Sequence, residues 1–209
     1  MTEVIIQSLS VRRFETYLKA AGYNAERALQ LYLWNARLGA AFHLPVQAVE
    51  VSLRNRINTV LVAEFGPDWW RETQFLELAD HDRMRDLDMV KARTIRRGAL
   101  LDTDQVVASL SFGFWAGMLH RRYNPRIWGR HLILGFPGLP SDIDRDRLHQ
   151  AVIKVARLRN RISHHEPLIK SNVMQHLQDI MTLLRWLCPE TAAWIKPHCE
   201  VPKVIREKP

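Results

Sequence analysis

Apolar residues recur every three or four positions along nearly the whole chain, and this pattern restricts it to helices. No segment alternates apolar and polar residues over several positions, and the Asn-Gly and Asp-Gly pairs that mark hairpins do not occur. A first helix is expected over 10–21, with Ser10 as its cap and Gly22 as its stop. Asn24 can cap a second helix toward Phe42, and Pro45 is expected to open a third that ends at Phe65-Gly66-Pro67. The charged run Ala79 to Arg97, closed by Gly98, reads as a surface or dimer-flanking helix, and Thr103 should cap one apolar helix through His120. Three prolines and three glycines between Tyr123 and Asp144 leave room for one short helix, 126–133, in a long connection. Asp144 then starts a helix through Ile162, and Ser171 caps another through Leu187. Pro189 opens a short turn, and the polar tail 199–209 is expected to fray. The expectation is an all-α bundle of about six to eight helices. With 209 residues, a single domain over 1–209 is the natural reading.

Composition narrows the function classes. Hydrophobic residues make up 47% of the chain, enough for a proper core. Phe112, Phe114 and Trp115 at helical spacing are expected in that core, with Trp69 and Trp70 as a packing corner. Cys188 and Cys199 have no metal-type spacing and suggest no disulfide framework, which fits a reducing compartment. No signal-like start and no apolar run of roughly 18 residues occurs, so a cytoplasmic protein without membrane contact is expected. The charge of +8, from 30 Lys+Arg against 22 Asp+Glu, favours a polyanionic partner or a well-solvated basic surface.

One run concentrates chemistry: Arg157-Leu158-Arg159-Asn160-Arg161-Ile162-Ser163-His164-His165-Glu166-Pro167. Groups of this kind are costly to bury and are usually solvated or functional. They suit phosphodiester cleavage in RNA, which carries its own nucleophile in the ribose 2′-hydroxyl. Histidine transfers protons near neutrality, and arginine holds phosphate bidentately without a metal. Arg159 and His164 lie roughly 140° apart around a continuous helix. They converge only if the helix loosens near Ser163 or a second chain completes the site. Arginines and histidines at a helix end also simply cap carbonyls and meet the dipole. A metal site is disfavoured, because adjacent histidines on a helix point apart and spacing places no third ligand.

The run Leu158-Arg159-Asn160-Arg161-Ile162-Ser163-His164-His165 resembles the Arg-Asn-x-x-x-His-His signature of the Abi-like (abortive infection) proteins of the HEPN superfamily. Two further blocks are similar to that family: Glu50 to Ile57 leading to Phe65-Gly66 and Trp69-Trp70, and Ser109 to Trp115. The resemblance covers about residues 10–190. It implies an all-α, HEPN-like bundle with additional N-terminal helices, dimerisation, and metal-independent RNA cleavage leaving a cyclic phosphate, with no cofactor. Carried over, Arg159, Asn160 and His164 are the catalytic set, with Ser163 and His165 as auxiliary residues. Arg161, Arg54, Arg121, Arg122 and Arg126 are candidate RNA contacts; Arg54 and Asn55 either line the cleft opposite or join a structural network with Glu50. The implied role is a phage-defence or toxin–antitoxin ribonuclease, restrained by an antitoxin protein or a small RNA. The alternative is a non-catalytic HEPN-type dimer that binds RNA, a nucleotide or a protein; a purely structural scaffold ranks behind both.

Overall fold

The computed structural model describes residues 2–98 and 100–209, and among them the chain is all-α, with twelve α-helices and no strand. Helices α1 (Thr2–Ser8) and α2 (Val11–Ala20) lead into α3 (Ala25–Phe65), a helix of 41 residues. The side chain of Asn24 caps α3 by accepting from the Arg27 amide at 2.9 Å, as its position in the sequence anticipates. The break expected at Pro45 is absent. Proline removes one amide and crowds the preceding turn, but Pro45 is itself buried, with Phe42, Val46 and Val49 buried on either side of it. Burial of one face before and after the proline holds the helix continuous.

After Gly66 the chain turns through Trp69 and Trp70, both buried, into α4 (Thr73–Leu78) and α5 (His81–Arg96). Thr103 does not cap a helix. Its hydroxyl donates to the Pro67 carbonyl at 2.8 Å and accepts from Trp70 Nε1 at 3.0 Å, pinning the tryptophan corner. Asp102 caps α6 (Thr103–Ser109) instead, and the single apolar helix expected here is two. Leu110 is extended, and Ser111 caps α7 (Phe112–Gly117) through the Phe114 amide at 3.1 Å. A serine that can satisfy a free amide with its side chain makes restarting as favourable as continuing. Phe112, Phe114 and Trp115 are in the core as expected.

A π-turn at Asn124–Trp128 runs directly into α8 (Gly129–Gly135), close to the short helix expected there. Helix α9 (Arg145–Ser163) starts at its predicted cap, Asp144, whose carboxylate accepts from the Arg147 amide at 2.8 Å. Helix α10 (Val173–Leu187) is capped by Asn172 rather than Ser171, and α11 (Pro189–Ile195) follows. The tail does not fray. Residues Val201–Arg206 form α12, which buries Val201 and Val204 against α3. Trp34 Nε1 donates to the Val204 carbonyl at 2.7 Å, and Arg37 pairs with Glu207. The tail's apolar residues are few but fall on one helical face, which a count of polar residues overlooks.

Helix α3 is the centre, packing against α2, α7, α8, α10 and α12. The loop after α8 approaches α10 closely enough that a β-carbon on Gly138 would lie 2.1 Å from the Arg185 carbonyl oxygen. That oxygen belongs to backbone and cannot swing aside. Gly138→Ala is therefore expected to destabilise the protein by about 1–3 kcal/mol, through overpacking. A thermal melt checks this, and an unchanged midpoint refutes the close packing of this loop.

Candidate functional site

Helix α9 ends as the sequence anticipates, at Ser163, and the geometry of that end decides where each candidate residue lies. His164 closes the helix, and His165 turns the chain with a left-handed φ of 55°. The Glu166 amide donates to the Arg161 carbonyl at 2.8 Å, and the His165 amide to the Ile162 carbonyl at 3.0 Å. These paired bonds are a Schellman motif with histidine where glycine is usual. Arg161 straps the turn from its side chain. Its Nε reaches Glu166 at 3.3 Å, Nη1 donates to the Ser171 hydroxyl at 2.9 Å, and Nη2 donates to the Pro167 carbonyl at 2.6 Å. Asn35 of α3 completes the fastening by accepting from the Leu168 amide at 2.6 Å.

On the opposite side of this helix end, α3 presents a polar stripe. His43, Gln47, Glu50 and Arg54 follow at three- or four-residue spacing and so share one face. With Arg159 and Ser163 of α9 they line a cleft of about 390 Å³, whose apolar walls include Phe42, Val46 and Ile162. Arg159 Nε lies 3.4 Å from the Glu50 carboxylate, with 38% of the arginine side chain and 29% of the glutamate side chain exposed. An ion pair this exposed is worth about 0–1 kcal/mol, so an anionic ligand can exchange for the carboxylate at little cost. Arg54 lines the same cleft, and its Nε is buried without a hydrogen-bond partner among the described residues.

Sequence reasoning singled out Arg159, Ser163 and Arg54, and the structure brings them together. It passed over His43, because one imidazole on an amphipathic helix carries no local signal. The cleft does not include His164. Both His164 and His165 line a separate hollow of about 470 Å³ with Arg13, Thr16 and Tyr17. Tyr17 is buried there and its phenol is pushed up to about 12, chiefly by that burial and then by Tyr32, so at neutral pH it is protonated. Asn160 is exposed and accepts from Arg159 Nη1 at 3.5 Å. Asn55 is exposed one position beyond Arg54.

The remaining basic candidates lie elsewhere. Arg121 and Arg122 are exposed just beyond Leu119, whose carbonyl accepts from Arg145 at the start of α9. That end is roughly 20 Å along the helix from Arg159. Arg126 is held by Glu64 at 3.1 Å and by Gln74, at the far end of α3. Among the described residues, no group of three or more His, Cys, Asp or Glu is placed to hold a metal ion, and no helix is long and apolar enough to cross a membrane. Comparison with models of known families, with characterised proteins and with solved structures gave no match to this chain.

His165 gives a direct test of the turn. His165→Gly should leave stability within about 1 kcal/mol, whereas His165→Val should cost about 1–2 kcal/mol, because a β-branched residue resists the left-handed region. Equal melting temperatures for the two variants would contradict the Schellman geometry. A second test concerns His176 of α10, whose ionisation is pushed below its ordinary 6.5 by burial first and by Arg161 next, against a smaller opposing effect of Asp179. The folded protein then binds this proton less readily than the unfolded chain. Its contribution to stability is full above pH 6.5 and falls as the pH drops through the lowered folded value. Thermal midpoints should decline across that window, and His176→Gln should flatten the decline.

Proposed function

We propose that this protein is a metal-independent endoribonuclease that holds a phosphate of its substrate between Arg54 and Arg159. The observation that carries the reading is the α3–α9 cleft, where two arginines, an imidazole, a hydroxyl and a carboxylate converge from separate helices on a hollow of about 390 Å³. Convergent polar groups in a concave site are the ordinary mark of binding or catalysis. In the reaction the ribose 2′-oxygen attacks phosphorus and the bond to the 5′-oxygen breaks, leaving a cyclic phosphate. One imidazole takes the 2′-hydroxyl proton and another supplies a proton to the leaving oxygen. The arginines stabilise the charge that develops on the phosphate.

His43 is the imidazole of the cleft, and His164 stands on the other shoulder of the helix end. A twofold pairing of α9 with its copy brings His164 of one protomer toward the cleft of the other, with Asn160 orienting the phosphate and Ser163 and His165 assisting. On this reading the protein is a HEPN-like, cytoplasmic homodimer of the Abi-like kind. It acts in phage defence or as the toxin of a toxin–antitoxin pair, restrained by an antitoxin protein or a small RNA. No metal or other cofactor takes part.

A second reading draws on the Arg159–Glu50 ion pair and on the separation of His164 from the cleft. These favour a non-catalytic dimer that binds RNA or a nucleotide. Purified protein incubated with a labelled RNA oligonucleotide in chelator separates the two. Cleavage to cyclic-phosphate ends is expected, with Arg159→Ala and His164→Ala each slowing it about 100-fold or more while melting temperatures hold. RNA left intact but bound, with affinity falling steeply in salt, selects the binding dimer. RNA neither cut nor bound, with no nucleotide binding by the same protein, sinks both.

A further inference from the structure

A cavity of about 820 Å³ shares no lining residue with the α3–α9 cleft. It is a groove between the first half of α9 and the outer face of α10, closed at one side by the segment that carries Lys196, Cys199 and Pro202. Its floor is apolar: Met174, Leu177 and Met181 come from one face of α10 at helical spacing, Trp186 lines its far end, and Ile143 and Ala151 lie across from them. Met174 is 43% exposed, although a residue of this kind is usually covered.

The rim is basic on both long sides. Arg147 and Lys154 stand on the α9 side, and Arg185 and Lys196 on the other. None of these cations has a carboxylate within ion-pairing distance among the described residues. Among the described residues the Arg185 side chain donates only to the Thr182 hydroxyl at 2.8 Å, and the Arg147 side chain only to the Asp142 carbonyl at 3.5 Å. The single acid in the lining, Asp179, already accepts from Gln175 at 3.0 Å.

We propose that this groove is the docking site for an acidic amphipathic helix of a partner protein. The apolar lining runs from Met174 to Trp186, roughly 18 Å, which accommodates about three helical turns. A helix laid there places one apolar stripe on the methionines and Trp186, the mode by which flexible, methionine-lined grooves take helices. Arg147 and Lys154 are separated by two turns, so carboxylates at the same spacing on the incoming helix meet both. A small amphiphile with one charged head matches less well, because the cations flank the floor along both sides instead of gathering at one end.

Fluorescein-labelled helical peptides test this. Each carries leucine at positions i, i+3, i+4 and i+7, flanked by glutamate in one peptide and by lysine in the other. The wild-type protein should bind the glutamate peptide at least about tenfold more tightly than the lysine peptide. The double variant Arg147→Glu, Lys154→Glu should invert that preference. Both side chains are exposed, so the variant should melt with wild type. Met181→Lys, in the floor, should weaken both peptides. Absence of binding by the glutamate peptide overturns the proposal, as does binding that neither variant changes. So does a charge reversal that abolishes binding of dodecyl sulfate or of an RNA oligonucleotide while leaving the peptide untouched. No step of the measurement involves RNA cleavage, so its outcome is independent of the nuclease reading.

Discussion

Along α3 the residues Leu31, Leu38, Phe42, Val49, Leu53, Ile57 and Leu61 are each 3% exposed or less, and they face the helices that surround them. Burying each such side chain is worth about 1.5–3 kcal/mol. A helix anchored at this many points along its length cannot rotate or break in the middle, even with proline inside it. The same anchoring fixes the opposite consequence: the polar stripe from His43 to Arg54 is held in register, at one angle, against α9. The candidate site is thus a by-product of core packing. Its precision comes from the apolar face, not from the polar residues that form it.

The end of α9 combines structural and chemical demands in adjacent residues. Arg161, Asn35 and the left-handed His165 hold the turn, while Arg159 and Ser163, on the other face, are left to the cleft. This division separates residues that look equivalent in the sequence. Of the three arginines in the run, Arg161 is committed to the Pro167 carbonyl, the Ser171 hydroxyl and Glu166, and Arg159 is loosely paired and open to exchange. Replacing either changes the molecule for a different reason.

Net charge shows the same division at larger scale. Several basic residues serve the fold: Arg126, Arg130 and His131 surround the nearly buried Glu64, and Arg145 is buried against the Leu119 carbonyl. Glu64 is held below its ordinary carboxylate range by these partners, although its burial works against them. What remains for ligands is the part of the excess that no carboxylate neutralises. Part of it lines the outer groove of α9 and α10, in Arg147, Lys154, Arg185 and Lys196, and part the cleft, in Arg54.

The sequence by itself determined the all-α class, the starts of α3 and α9, the burial of Trp69, Trp70, Phe112, Phe114 and Trp115, and the end of α9 near Ser163. These follow from local rules: the period of apolar residues, a side chain that reaches an amide three positions on, and proline or glycine beyond a helix end. Tertiary structure decided the rest. It carried α3 through Pro45, split the helix at Ser111, and folded the tail into α12 because a partner surface lay beside each of them. It also placed His43 across from Arg159, whereas the separation of Arg159 from His164 is the roughly 140° that helical spacing already gives. Helical periodicity tells which residues share a face; only the burial of distant segments against one another tells which faces meet.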